Sequence, residues 1–142
     1  MIRKHAFGNA RKMRVSPQHG FVMQTDAGER LIRAKHAAEL FGGEIARRDK
    51  ACEAVTYIHI LFDRHEIIFA EGARTEAFYP GPQALRSIDR AAAAELLALF
   101  PELARVALGG APCADGYGPP ARAYLKGRDI RAMAKERRGC VV

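Results

Sequence analysis

The sequence predicts a mainly β domain with two or three short helices that gather toward its C-terminal part. Three observations carry that expectation. Turn-forming clusters punctuate residues 16–28 and 63–82, residues 55–69 are rich in β-branched and aromatic side chains, and strong helix formers dominate only after residue 89. At 142 residues the chain has room for one core. Residues 1–85 are therefore expected to form a β-rich core, with residues 86–142 a helical and loop extension packed on the same domain.

Met13, Val15, Phe21, Val22 and Met23 flank Pro17, and this arrangement predicts strand, turn, strand. Thr25-Asp26-Ala27-Gly28-Glu29 supplies a second turn, and Arg30-Leu31-Ile32-Arg33 reads as the returning strand. Ala34 to Phe41 is alanine-rich and runs into Gly42-Gly43, so a two-turn helix is expected there. In "VTYIHILFDRHEIIFAEG", residues 55–72, alternation places Val55, Tyr57, His59 and Leu61 on one face. Asp63-Arg64-His65 interrupts the run and Glu66 to Ala70 resumes it, so a central β-hairpin with its turn at 63–65 is expected. Phe78 to Pro82 reads as a turn. Asp89 to Phe100 reads as a helix stopped by Pro101. Gly109 to Pro120 is expected to be loop, and Arg128 to Arg138 an amphipathic helix with Ile130, Met133 and Ala134 on its apolar side.

Composition excludes several classes. Hydrophobic residues make up 49% and charged residues 27%, an ordinary balance that argues against wholesale disorder. No apolar run approaches a membrane-spanning length, and no signal-peptide core follows the basic start, so a cytoplasmic setting is the default expectation. Cys52, Cys113 and Cys140 lack any close C-x-x-C spacing, which predicts reduced thiols rather than a disulfide framework or zinc site. Cys140 stands third from the end, one place short of a prenylation box. Of the net charge of +7, residues 1–14 carry +5 and residues 122–138 another +5, so the middle is mildly acidic. Neither basic end interleaves aromatics with its charges, and both are expected to be solvated surface rather than a nucleic-acid site.

All five histidines, at positions 5, 19, 36, 59 and 65, fall in the first half. His19 closes the run Val15-Ser16-Pro17-Gln18-His19, where Ser16 can hydrogen-bond its own backbone and Pro17 restricts the chain. Its imidazole is thus presented from a rigid turn, and from spacing alone a local hydrogen bond or a surface position is the more ordinary reading. His59 projects from an apolar run and would need a partner if buried. His65 has Asp63 and Glu66 nearby, either of which could orient its ring and raise its pKa. No pair of histidines has His-x-x-x-His spacing, and the chain has no dinucleotide or phosphate-binding glycine motif, so no metal and no cofactor are expected. Ser16 and Ser87 are the only serines and no G-x-S-x-G is present. Cys52 reads more readily as core filler than as a nucleophile.

Two stretches resemble a known family. "VSPQHGFVM" with "ERLIRAKHAAELFGG", and then "VTYIHILFDRHEIIFAEGARTEAFYPG", are similar to the later half of the Hint domain, the Hedgehog and intein autoprocessing fold. They are closest to the group found in many alphaproteobacterial proteins. The likeness covers about residues 2–85, and "YGPPARAYLKGRDIRAM" resembles the usual tail of that group. It implies a disc-like β fold in which a leading cysteine or serine attacks the preceding carbonyl. A histidine ending a T/S-x-x-H motif assists by protonating the departing nitrogen. Ser16 to His19 matches that motif, so the resemblance makes His19 the general acid. It also places His59 where inteins often carry an aspartate, giving His59, or Asp63 in its stead, a supporting acid–base role, with His65 in the turn.

The resemblance sets a condition. No cysteine precedes Cys52, and after Gly72 the chain reads Ala73-Arg74-Thr75-Glu76 where a splicing intein ends in histidine-asparagine. The expectation is a truncated or split form, inactive alone, whose partner is an upstream half or an adjacent polypeptide strand laid on an exposed sheet edge. A non-catalytic interaction module is the alternative.

Overall fold

Short-range turn chemistry decides most of the observed elements. The computed structural model describes residues 1–50 and 55–139. Cys52 and Cys140 fall outside the described residues. The chain forms two compact units: residues 1–58, 67–76 and from 122 onward make the first, and residues 59–66 and 77–121 the second.

In the first unit, β1 (Gly20–Thr25) and β2 (Gly28–Arg33) form an antiparallel hairpin turning at Asp26-Ala27. Gly28 takes a φ of +88°, which a side chain would resist. β3 (Ile67–Ala70) and β4 (Ala73–Glu76) form a second hairpin, and β4 joins β1 at Phe21↔Thr75 to give the sheet order β2-β1-β4-β3. α1 (Ala34–Phe41) buries Ala34, Ala37 and Leu40, residues spaced by three along one face, and ends at Gly42 with φ +64°. α6 (Gly127–Gly139) adds Ile130, with Met133 and Ala134 packed on the same core around Phe21, Ile32 and Leu40. The tail just before α6 runs parallel to β2: Leu31 N–H donates to Ala123 O and Leu125 N–H to Leu31 O, both at 2.9 Å.

The second unit is helical. α2 (Pro82–Leu85) has proline at its first position, where no N–H is needed. α3 (Arg90–Leu99) is capped by the Asp89 carboxylate, which accepts from Ala92 N at 2.9 Å. α4 (Leu103–Ala107) and α5 (Cys113–Tyr117) complete a core of Leu85, Leu96, Leu103, Val106, Cys113 and Tyr117. The thiol of Cys113 is free and buried.

Three expectations are corrected. The described residues hold more helix than strand, so the fold is mixed rather than mainly β. α5 occupies part of the segment 109–120 expected to be loop, and α2 begins at Pro82, the last residue of the turn expected at 78–82. The central hairpin is shifted: residues 55–66 form no strand, His65 precedes β3, and the turn lies at Glu71-Gly72. Both turn residues have positive φ, 52° and 89°, the demand of a two-residue hairpin turn that Asp63-Arg64 meets less well than Glu-Gly. Arg11 holds the Glu71 carboxylate with two hydrogen bonds of 2.8 Å, and Ala10 N–H donates to Glu71 O. Val55, Tyr57 and Ile58 are accordingly exposed, and His59, expected inside, is exposed as well.

Candidate functional site

The Ser16–His19 turn is closed by His19 N–H donating to Ser16 O at 3.0 Å, while Ser16 Oγ accepts from Gln18 N–H at 3.2 Å. α1 begins on this turn without a side-chain cap. Its first amides are satisfied by the turn itself, Ala34 N–H on His19 O at 2.9 Å and Lys35 N–H on Pro17 O at 3.0 Å. The backbone on both sides of His19 is thereby fixed before its side chain makes any contact.

The ring is fixed by β4. Thr75, 1% exposed, donates its hydroxyl to Gly20 O at 2.6 Å, and the same oxygen lies 2.6 Å from His19 Nε2. A threonine hydroxyl has one proton. Because that proton goes to a carbonyl, which can only accept, His19 Nε2 must be the donor. The neutral ring is therefore the Nε2–H tautomer, with its lone pair on Nδ1. Phe21 meets the ring edge-on at 5.4 Å and is itself stacked on Phe7 at 4.5 Å.

Next to Thr75, Glu76 is 8% exposed and accepts from Gly20 N–H at 2.5 Å and from the Tyr124 hydroxyl. Burial raises the Glu76 pKa, outweighing the two hydrogen bonds and the nearby Arg33 charge that pull it down. The Arg33 guanidinium lies over the Tyr124 ring at 4.3 Å. A Cβ on Gly20 would stand 2.9 Å from the Glu76 carboxyl carbon and one of its oxygens. Gly20→Ala is therefore expected to displace the carboxylate and cost about 1–3 kcal/mol, read as a lower urea midpoint. An unchanged midpoint would contradict this geometry.

A second charged group ties the tail to the sheet. Glu29 accepts from both Arg74 and Arg122, the latter at 2.9 Å, and these hydrogen bonds hold its carboxyl down at about 2. A cavity of about 510 Å³ adjoins the histidine turn, its wall including Pro17, Ala34, Lys35, Arg47 and Arg48.

The remaining site candidates lie in the second unit. His59 is exposed, with its ring 4.4 Å from Phe78, and partial burial lowers its pKa. Asp63 is exposed. His65 is 3% exposed, its Nδ1 accepts from Ala121 N–H at 3.0 Å, and its ring lies 4.9 Å from Tyr79. Glu66 raises the His65 pKa as expected of a neighbouring carboxylate, and the Ala77 backbone acts in the same direction, but burial is the larger effect and the net shift is downward. A lowered histidine pKa contributes stability above the unfolded value of 6.5, and that stability is lost as pH falls through the folded value. The urea midpoint, followed by tyrosine fluorescence, is expected to fall on acidification below 6.5 and to fall less in His65→Leu. An equal fall in both proteins would contradict it.

The Ser16–His19 turn is legible in the sequence, whereas the contacts of Thr75, Glu76 and Tyr124 around it are not. The only local signal was the Glu71-Gly72 turn, which sets the register that brings Thr75 opposite Phe21. Among the described residues no three His, Cys, Asp or Glu side chains converge as a metal site, and no helix is long and apolar enough to cross a membrane.

Sheet and turn together define a unit that holds a single imidazole in one tautomer at the head of a strand, through a buried hydroxyl. Residues 1–82 match the family described as the Hint domain, and the chain belongs to that family. No curated protein and no solved structure matches it.

Proposed function

We propose that the first unit is the histidine-bearing part of an autoprocessing domain, working on a nucleophile carried by polypeptide outside these 142 residues. The observation that supports this reading is the His19–Thr75–Gly20 arrangement, which holds the ring in one tautomer with Nε2 as donor and the basic lone pair on Nδ1. In the proposed step a cysteine Sγ adds to the carbonyl carbon of the preceding residue, the C–N bond breaks, and a thioester forms. Nδ1 takes the thiol proton and returns it to the departing nitrogen, so the ring ends as it began. Ser16 shapes the turn rather than touching the ring. His59 and Asp63 enter as supporting acid–base groups on the family resemblance alone.

The test combines the chain with a synthetic upstream Hint half beginning in cysteine, adds a thiol, and reads cleavage by mass spectrometry. Cleavage is expected at near-neutral pH. None anywhere between about pH 6 and 9, where a histidine changes charge, would overturn the reading.

A second reading, a module that captures an extended polypeptide strand, is favoured by β3. It lies at the end of the sheet order and exposes 74% of Phe69. Strand capture would survive His19→Ala, whereas cleavage would not.

A further inference from the structure

We infer that Tyr124, in the tail beyond the family match, is a positioning residue for His19, acting through Glu76 and the His19–Gly20 peptide. The inference rests on the role just given to His19, but its geometry stands independently of cleavage.

The peptide that follows His19 is gripped on both of its polar atoms. Its carbonyl accepts from Ala34 N–H at 2.9 Å, and its N–H, that of Gly20, donates to Glu76 at 2.5 Å. The next carbonyl, Gly20 O, receives the Thr75 hydroxyl that also takes the His19 ring proton. Glu76 and Thr75 are adjacent on β4, so one short strand segment holds the peptide with one residue and the ring with the other.

What holds Glu76 is the tail. One carboxylate oxygen takes the Gly20 amide and the other the Tyr124 hydroxyl. A carboxylate that is 8% exposed needs donors on its lone pairs to keep one orientation. Tyr124 is placed by backbone pairing, because the amide of Leu31 and that of Leu125 bond across to fix residues 123–125 against β2. Arg122 on Glu29 anchors the same segment one residue earlier, and Arg33 packs on the Tyr124 ring. Removing the phenol hydroxyl withdraws one of the donors that orient Glu76. The carboxyl then has one donor fewer to keep it on Gly20, and the second anchor of the His19–Gly20 peptide is weakened.

The experiment uses the full 142-residue chain and Tyr124→Phe, which keeps the ring on Arg33 and removes only the hydroxyl. Two readouts by NMR are compared: hydrogen exchange at the Gly20 amide, and the tautomer of neutral His19 from its ring nitrogen shifts. Gly20 exchange is expected to speed by about tenfold or more while Val22 and Leu31 stay protected, because only a local hydrogen bond is lost. The His19 ring is expected to pass from one tautomer to a mixture. Faster Gly20 exchange with an unmoved His19 tautomer would overturn the inference, since Tyr124 would then support the backbone alone. Unchanged values for both would overturn it as well. Glu76→Gln, which keeps the side-chain shape, covers the case in which Tyr124→Phe fails to fold, and is expected to move both readouts in the same direction. Neither measurement needs cleavage, so failure here and failure of the autoprocessing reading are distinguishable.

Discussion

His19→Ala is expected to slow thiol-induced cleavage of the upstream-extended chain by about 10²- to 10⁴-fold, the usual worth of a positioned acid–base group. Stability is expected to fall far less. The backbone bonds that shape the turn run through His19 N–H and His19 O, and alanine keeps both. The loss should therefore appear in the rate at every pH, not as a fraction of unfolded protein. Mass spectrometry gives the rate and a urea titration gives the stability on the same sample. Cleavage within about twofold of wild type would remove His19 from the chemistry.

Thr75→Val is expected to be the most costly single change in the sheet interior relative to its size. Valine fills nearly the same volume but supplies no hydroxyl, so Gly20 O loses one donor and His19 Nε2 its acceptor at a position 1% exposed. Leaving such groups unsatisfied costs about 1–3 kcal/mol each. The urea midpoint should drop accordingly, and cleavage should fall with it as the ring loses its fixed tautomer. Thr75→Ser retains the hydroxyl and is expected to recover most of the tautomer and the rate while losing only the packing of a methyl group. A Thr75→Val protein with wild-type stability and a single His19 tautomer would show that the hydroxyl does not hold the ring.

Local signals made part of this architecture legible. The helix at 34–41 is bounded by its alanines and Gly42, the hairpin at 20–33 by its Asp-Ala-Gly turn, and the helix at 90–99 by Asp89 and Pro101. The second hairpin is displaced from its expected position because the β-branched residues at 55–62 signal strand more strongly than the Glu71-Gly72 pair signals a turn. Strand propensity reflects packing on a sheet, and residues 55–62 pair with no strand among the described residues. α5 escaped notice because a five-residue helix containing Gly116 has no periodicity to detect. His19 was legible because turn and histidine are four residues apart at most. Its partner Thr75 lies 56 positions further along, and Tyr124 another 49, so only the paired strands bring them together.

The two sides of the sheet are not equivalent. β2 is flanked by residues 123–125, whereas no strand among the described residues pairs with the outer side of β3, which carries Ile67, Ile68 and Phe69. A strand added to this sheet is therefore expected beside β3 rather than beside Leu31 of β2. Two copies meeting β3 to β3 would satisfy each other's outer backbone groups in a symmetric pair. The same tail that steadies Glu76 thus also occupies part of the far side of this sheet, beside Leu31.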